Sequence, residues 1–185
     1  MNILDNRLAI RFGIIGGLLF ALFCIGCWAG GMNAFASFLI WYTWLPVIFV
    51  LFLIGAFQRR KQLGGYMSFK EALVFAFLAY VTYEFFYVIV TIVLFKIIDP
   101  QLQDKVLVVV LDKTRTFMEN IGASQSTIDD ALNKAQQNNE GTYSIKQIFM
   151  GFGMSLIYDF VKSVIIAAIT QRRKPEFAQI KESNT

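Results

Sequence analysis

Histidine is absent from this chain of 185 residues, and cysteine occurs only twice. Without histidine, the chain lacks the commonest general base, metal ligand and haem ligand of proteins. Cys24 and Cys27 lie inside an apolar run and predict no disulfide framework. Apolar thiols are usually inert, and no second pair is present to pass electrons on. No phosphate-binding loop, nucleophile elbow or metal-ligand cluster occurs either, so we predict no enzyme activity, no catalytic residue and no cofactor.

Charged residues are also scarce, at 16% of the chain, against about 25% in an average soluble domain. Hydrophobic residues make up 56% and are gathered into runs of roughly 20 residues, the length that crosses a bilayer. We therefore predict an all-α membrane protein with a bundle of four transmembrane helices. The predicted spans are residues 8–30, 34–57, 69–98 and 145–170. The first span is longer than a typical signal-peptide core, so we expect it to be retained.

Basic residues flank these apolar runs and predict the topology. Two clusters stand out, one before the third span and one after the fourth: Arg59, Arg60, Lys61, Arg172, Arg173 and Lys174. The positive-inside rule puts both clusters in the cytoplasm, where they can also meet lipid headgroups. The segment 99–144 carries seven acidic residues against four basic ones, so we expect it to be external. Both termini, including the tail 171–185, are then cytoplasmic. No basic face with interleaved aromatic residues is present, so nucleic acid is not an expected partner.

Capping signals predict where several helices begin. Ser68 and Glu71 form a capping box at the start of the third span, and Ser144 and Gln147 form another at the start of the fourth. Asp99 before Pro100 has the pattern of an N-cap residue followed by proline at the first helical position. The external segment is therefore predicted to contain helices over about 99–120 and 127–137.

Three charged residues lie away from the ends of the predicted spans and form the one chemical constellation of the chain: Glu84, Asp159 and Lys162. Tyr80, Tyr87 and Thr91 share a helix face with Glu84, because the four residues are spaced by four, three and four positions. Counted from the cytoplasmic helix ends, the two carboxylates lie at a similar depth of roughly 20 Å. A buried charge is costly in a membrane, so one interpretation is a polar lock between the third and fourth spans. The other is an ion or proton path, since two acids and one base leave a formal charge of −1.

Small residues at a spacing of four mark two stretches of the first span. Gly13, Gly17 and Ala21 form one series, and Gly26 and Gly30 form the other. Such faces allow another helix to approach closely. We favour a neighbour within the same chain over a homodimer contact.

The loop before the third span carries a pattern that resembles a known family. It combines Arg59-Arg60-Lys61, Gly64-Gly65, Tyr66, Ser68-Phe69 and Ala72-Leu73. This pattern is similar to the Bacteroidota membrane-protein family catalogued as domain of unknown function forty-one ninety-nine. The layout also agrees, with an Asp-Pro after the third span, an amphipathic external segment, and a closing span that ends in Arg-Arg-Lys. The resemblance implies a bacterial inner-membrane protein and supplies no activity.

Two classes of function follow from these features. The first is a structural, assembly or interaction subunit of the cell envelope, which binds a membrane-protein partner through the external helices or the glycine faces. The alternative is a small ion- or proton-linked transporter that uses Glu84, Asp159 and Lys162. The lipid bilayer is an expected partner in both cases.

Overall fold

The computed structural model describes residues 6–44, 46–139 and 144–172. Within these ranges the chain is helical, without a β-strand. Seven α-helices and one π-helical segment follow in this order: α1 (Arg7–Ala29), α2 (Met32–Trp44), α3 (Val47–Gln62), α4 (Phe69–Ile92), the π segment (Val93–Ile98), α5 (Leu102–Asn120), α6 (Gln125–Asn139) and α7 (Ile145–Thr170).

Three helical stretches of the described residues are long and apolar enough to cross a membrane. They are Arg7–Ala29, Phe69–Ile98 and Ile145–Thr170. The predicted second span, residues 34–57, is divided between α2 and α3, which have 13 and 16 residues. The two helices are separated beside Pro46, whose ring cannot continue a regular helix and which has no N–H to donate.

The chain divides into two compact units. The first comprises the described residues of Met1–Leu18, Pro46–Phe86 and Met154–Thr185, and the second those of Leu19–Leu45 and Tyr87–Gly153.

In the first unit, α1 and α4 run parallel in close contact. Phe12 packs edge-on against Phe75 with ring centroids 6.3 Å apart. Further along both helices, Gly13 lies against Ala79 and Thr82, and Gly17 lies against Phe86. These glycines therefore serve a contact within the chain, as we favoured from the sequence.

The other helices of the first unit run in the opposite direction to these two. Gly55 of α3 approaches Phe12, while Gly16 of α1 approaches Leu51 and Phe52. Such a crossed order of contacts means that α1 and α3 are antiparallel. For α4 and α7 the corresponding contacts are Phe77 with Phe160, at 5.8 Å between ring centroids, and Met67 with Arg172, which form an isolated antiparallel bridge.

The second unit is built around α5, which packs against α2, α6 and the π segment. Phe35 of α2 packs against Phe95 of the π segment, with ring centroids 6.1 Å apart. Lys113 of α5 donates a hydrogen bond of 3.0 Å to the Ser37 hydroxyl of α2. Leu102, at the start of α5, is completely buried.

The start of α5 differs from the sequence prediction. The N-cap residue is Gln101, not Asp99, and α5 begins at Leu102. Asp99 instead closes the π segment, since its amide donates to the Leu94 carbonyl at 3.0 Å. Its carboxylate is occupied by the Lys105 ammonium, at 2.7 Å, and this hydrogen bond lowers the pKa of Asp99. The Asp99 carboxylate also accepts from the Gln101 amide, so it stabilises the turn before α5 and not the helix itself.

The contacts at the two capping boxes involve the residues that the sequence singled out. At the start of α4, the Ser68 amide and hydroxyl donate to Glu71 Oε2 at 2.8 Å and 2.7 Å, and the Glu71 amide donates to Ser68 Oγ at 3.3 Å. At the start of α7, the Gln147 amide donates to Ser144 Oγ at 3.2 Å. The helix α6 begins at Gln125, two residues before its predicted start, with Ser124 Oγ accepting from the Thr127 amide.

Candidate functional site

Polar side chains of α4 and α7 meet in the interior of the first unit. We call this group the polar cluster: Tyr80, Glu84, Ser155, Asp159 and Lys162. Tyr80 and Glu84 are four residues apart on α4, while Ser155, Asp159 and Lys162 follow at four and three residues on α7. These spacings put each set on one face of its helix. Because α4 and α7 are antiparallel, the two faces can meet along their length.

The two carboxyl groups of the polar cluster lie inside the protein and contact each other. Glu84 is 7% exposed and Asp159 is 1% exposed. Their side chains are within hydrogen-bonding reach of one another. Two ionised carboxylates have only acceptors, so this contact becomes a hydrogen bond only when one of them carries a proton.

Each carboxyl group also has a donor from α7. Ser155 Oγ donates to Glu84 Oε2 at 3.1 Å, and Lys162 Nζ donates to Asp159 Oδ1 at 3.0 Å. The Ser155 bond links α7 to α4, whereas the Lys162 bond lies within α7. The ammonium of Lys162 is also 5.4 Å from the centre of the Tyr80 ring, within the range of a cation–π contact.

Two oxygen atoms of the polar cluster have no hydrogen-bond partner among the described residues. They are Tyr80 Oη and Asp159 Oδ2, and both are enclosed by protein atoms. Tyr80 is held by Phe52, whose ring meets it edge-on at 4.7 Å between centroids. A buried polar atom without a partner is costly, so these oxygens mark a place where a further polar species would be stabilised.

Lys162 connects the interior of the cluster with the surface of the unit. Its side chain is 49% exposed, in contrast to its partner Asp159. A lysine near the end of a membrane helix usually extends toward the headgroups. Lys162 instead reaches back along α7 to Asp159, away from the helix end at Thr170. Its charge is therefore kept at the depth of the two carboxyl groups.

The intramembrane residues predicted from the sequence separate into two groups. Tyr80, Glu84, Asp159 and Lys162 come together in the first unit. Tyr87 and Thr91 belong to the second unit, where the Tyr87 ring lies 5.0 Å from that of Phe20 and Thr91 is buried. Ser155 was not among the residues predicted for this site; its position four residues before Asp159 is the signal that puts it on the same face of α7.

The cationic residues predicted to face headgroups gather at one end of the first unit. Arg60 donates to the Thr170 carbonyl at 3.3 Å, and the Arg172 backbone pairs with Met67. Arg59 and Lys61 lie on the same last turn of α3. Arg173 and Lys174 lie outside the described residues.

No group of three or more His, Cys, Asp or Glu residues that could hold a metal ion occurs in the described part of the chain. Cys24 and Cys27 are free thiols, and Cys24 is buried.

The fold and the polar cluster define a class, an all-helical protein with apolar helices suited to a bilayer and a charged group enclosed between two of them. The chain belongs to the family described as Protein of unknown function (DUF4199), which matches residues 11–172. No curated protein and no solved structure matches it. The family match covers both units and all residues of the polar cluster.

Proposed function

We propose that this protein binds and conducts a proton or a small monovalent cation at the polar cluster, as an ion-linked protein of a bacterial inner membrane. The observation that carries the proposal is the contact between two buried carboxyl groups, Glu84 and Asp159, beside two oxygens without partners. A polar lock alone would be expected to satisfy its buried atoms. Here Asp159 Oδ2 and Tyr80 Oη would gain a partner from a bound species.

The charge of the polar cluster sets the chemical class of that species. Glu84, Asp159 and Lys162 leave one formal negative charge when all are ionised. A proton or a monovalent cation neutralises this charge, whereas a divalent cation leaves an excess. Every polar atom apart from the lysine nitrogen is oxygen, the donor type that hard cations prefer. We propose that the species reaches Asp159 beside the half-exposed Lys162 side chain.

We also propose a membrane topology with four crossings. Since α1 and α4 run parallel in contact, a chain that leaves the membrane at the end of α1 must return across it before α4 begins. The segment formed by α2 and α3 then supplies the second crossing. The external segment 99–144 and the cytoplasmic location of both termini follow from the same arrangement and from the basic end of the first unit.

The test is ion flux through purified protein in liposomes that contain a pH-sensitive dye. We expect the wild-type protein to dissipate an imposed proton or sodium gradient. The rate for Glu84→Gln should be at least about tenfold lower. The amide still accepts from Ser155 and can donate to Asp159, so the fold is retained while one titratable group is lost. Glu119→Gln, on the exposed face of α5, is the matched control and should conduct normally.

Two results would overturn the proposal. One is a folded Glu84→Gln protein that conducts like the wild type. The other is a wild-type protein without flux for protons, sodium or potassium under any gradient.

An envelope interaction subunit is the second candidate, and α5 and α6 favour it. Val108, Phe117 and Ile121 are more than 60% exposed, although we propose that this segment lies outside the membrane. A cavity of about 600 Å³ between α5 and α6 is lined in part by Leu111, Arg115 and Leu132. Exposed apolar side chains beside such a cavity are typical of protein-binding surfaces. This candidate predicts a stable co-purifying membrane protein and unchanged behaviour of Glu84→Gln.

A further inference from the structure

Cationic side chains from four helices lie at the end of the first unit that contains the last turns of α3 and α7. The cationic side chains are Arg7 and Arg11 of α1, Arg59, Arg60 and Lys61 of α3, Lys70 of α4, and Arg172 after α7. The α1 residues belong to this end because Phe12, next to Arg11, contacts Gly55 and Phe75. Among the described residues at this end the one acid is Glu71, and it is hydrogen-bonded to Ser68.

Two of these guanidinium groups are held in place where the end of α3 meets the end of α7. Arg60 donates to the Thr170 carbonyl at 3.3 Å and lies 4.9 Å from the centre of the Phe57 ring. Arg172 follows Thr170 by two residues, and its backbone is fixed by two hydrogen bonds to Met67, of 2.9 Å and 2.8 Å. Its guanidinium lies 5.8 Å from the centre of the Tyr66 ring. We call this region the arginine junction.

The arginine junction has free capacity for an anion. A guanidinium has five N–H donors, and Arg60 uses one for Thr170 in the contact described. Arg172 is exposed. A planar guanidinium binds phosphate oxygens through two parallel N–H donors, and a side chain that is already held in place loses less conformational entropy on binding than a mobile one.

Apolar side chains lead away from the arginine junction along α7. Ile169 lies three residues before Arg172, and Ile165 lies one helical turn further back; they are 50% and 47% exposed. A ligand with a phosphate group and an acyl chain would meet cations at the helix end and isoleucines along the helix. The positive charge of this end favours an anionic ligand over a zwitterionic one.

We propose that the arginine junction binds the phosphodiester headgroup of an anionic phospholipid, with Arg60 and Arg172 as its ligands and an acyl chain along Ile165 and Ile169. This site is separate from the polar cluster, and its occupancy does not depend on ion conduction.

The experiment measures lipid binding to detergent-purified protein by native mass spectrometry and by the shift in melting temperature. Phosphatidylglycerol should bind and raise the melting temperature of the wild-type protein, while phosphatidylcholine should not. The double variant Arg60→Gln/Arg172→Gln should bind phosphatidylglycerol about tenfold more weakly, since both guanidinium ligands are lost. Arg7→Gln/Arg11→Gln removes the same charge from the same end and should retain binding within about twofold, because these side chains are not ligands.

Further variants keep the test valid if the double variant folds poorly. Arg172→Gln alone leaves the backbone bonds to Met67 intact and should still weaken binding. Arg60→Lys/Arg172→Lys preserves charge but not the guanidinium fork, and should bind less tightly than the wild type.

Three outcomes would overturn the proposal. Equal loss in Arg7→Gln/Arg11→Gln would show general charge attraction without a site. Equal stabilisation by phosphatidylcholine would remove the preference for an anionic headgroup. Saturation of the site by inorganic phosphate at concentrations that displace phosphatidylglycerol would make free phosphate, not lipid, its ligand.

Discussion

At the scale of single residues, Asp159 and Gly13 show what close helix packing demands. Asp159 is enclosed almost completely, yet it keeps a charged partner because Lys162 reaches it from the next helical turn. Loss of that partner would leave an uncompensated charge inside the protein. Gly13 has the opposite requirement. An atom added at its Cβ position would lie 2.5 Å from Thr82 Cβ and 2.6 Å from the Ala79 carbonyl oxygen.

Gly13→Ala should therefore destabilise the protein by about 1–3 kcal/mol, since α1 must move away from a backbone carbonyl of α4. Unfolding in a series of detergent–SDS mixtures measures this change. Gly26→Ala is the control on the same helix, because nothing lies within 4 Å of the added atom. It should be neutral or slightly stabilising, since alanine favours helix more than glycine does. Equal stability of the two variants would contradict the close contact of α1 and α4.

Residue types indicated most of the polar cluster, but not its incomplete hydrogen bonding. Glu84, Asp159 and Lys162 stand out because charges are rare in apolar runs, and counting from the helix ends gave the carboxylates a common depth. The lack of partners at Tyr80 Oη and Asp159 Oδ2 depends on how the surrounding protein, including Phe52 beside Tyr80, encloses them. Tyr87 and Thr91 show the limit of helical periodicity: a shared face does not decide which neighbours each turn meets.

At the scale of elements, local signals account for helix starts better than for helix interruptions. The Ser68–Glu71 box depends on side chains and amides within one turn, which sequence spacing encodes directly. The turn before it needs glycine, since Gly64 and Gly65 have φ of 76° and 89°. The π segment and the altered role of Asp99 could not be predicted, because they depend on the bond from Asp99 to Leu94 and on Lys105.

Ser68→Ala should weaken the first turn of α4 by about 1 kcal/mol, because one amide loses its capping acceptor. Hydrogen exchange at the Ala72 amide, which donates to the Ser68 carbonyl at 3.1 Å, reports on this turn. Exchange should be faster in Ser68→Ala, and less affected in Glu71→Gln, whose amide oxygen can still accept from the Ser68 amide. Lys70→Ala is the exposed control. Unchanged exchange in Ser68→Ala would mean that packing alone fixes the helix start.

At the scale of the whole molecule, the direction of the helices constrains the membrane topology more strongly than hydropathy does. By length and composition three helical stretches qualify as spans. If α2 and α3 lay outside the membrane, Arg7 and Lys61 would lie on opposite sides of the bilayer. In the first unit, however, α1 and α4 run parallel while α3 runs antiparallel to α1. That arrangement puts Arg7 and Lys61 at the same end, as a crossing by α2 and α3 requires. This arrangement agrees with our proposal that the interrupted second span is a crossing broken at Pro46.

Cysteine labelling in spheroplasts distinguishes three crossings from four. In a background with Cys24→Ser and Cys27→Ser, we expect an impermeant maleimide to label Asp130→Cys in intact spheroplasts. Arg7→Cys and Lys61→Cys should react only after lysis, because both lie at the cytoplasmic end in the proposed topology. All three positions are exposed on the protein, so a lack of reaction reports the membrane barrier and not burial. Labelling of only one of Arg7→Cys and Lys61→Cys in intact spheroplasts would mean that α2 and α3 do not cross the membrane. In that case the parallel helices α1 and α4 could not both span the bilayer.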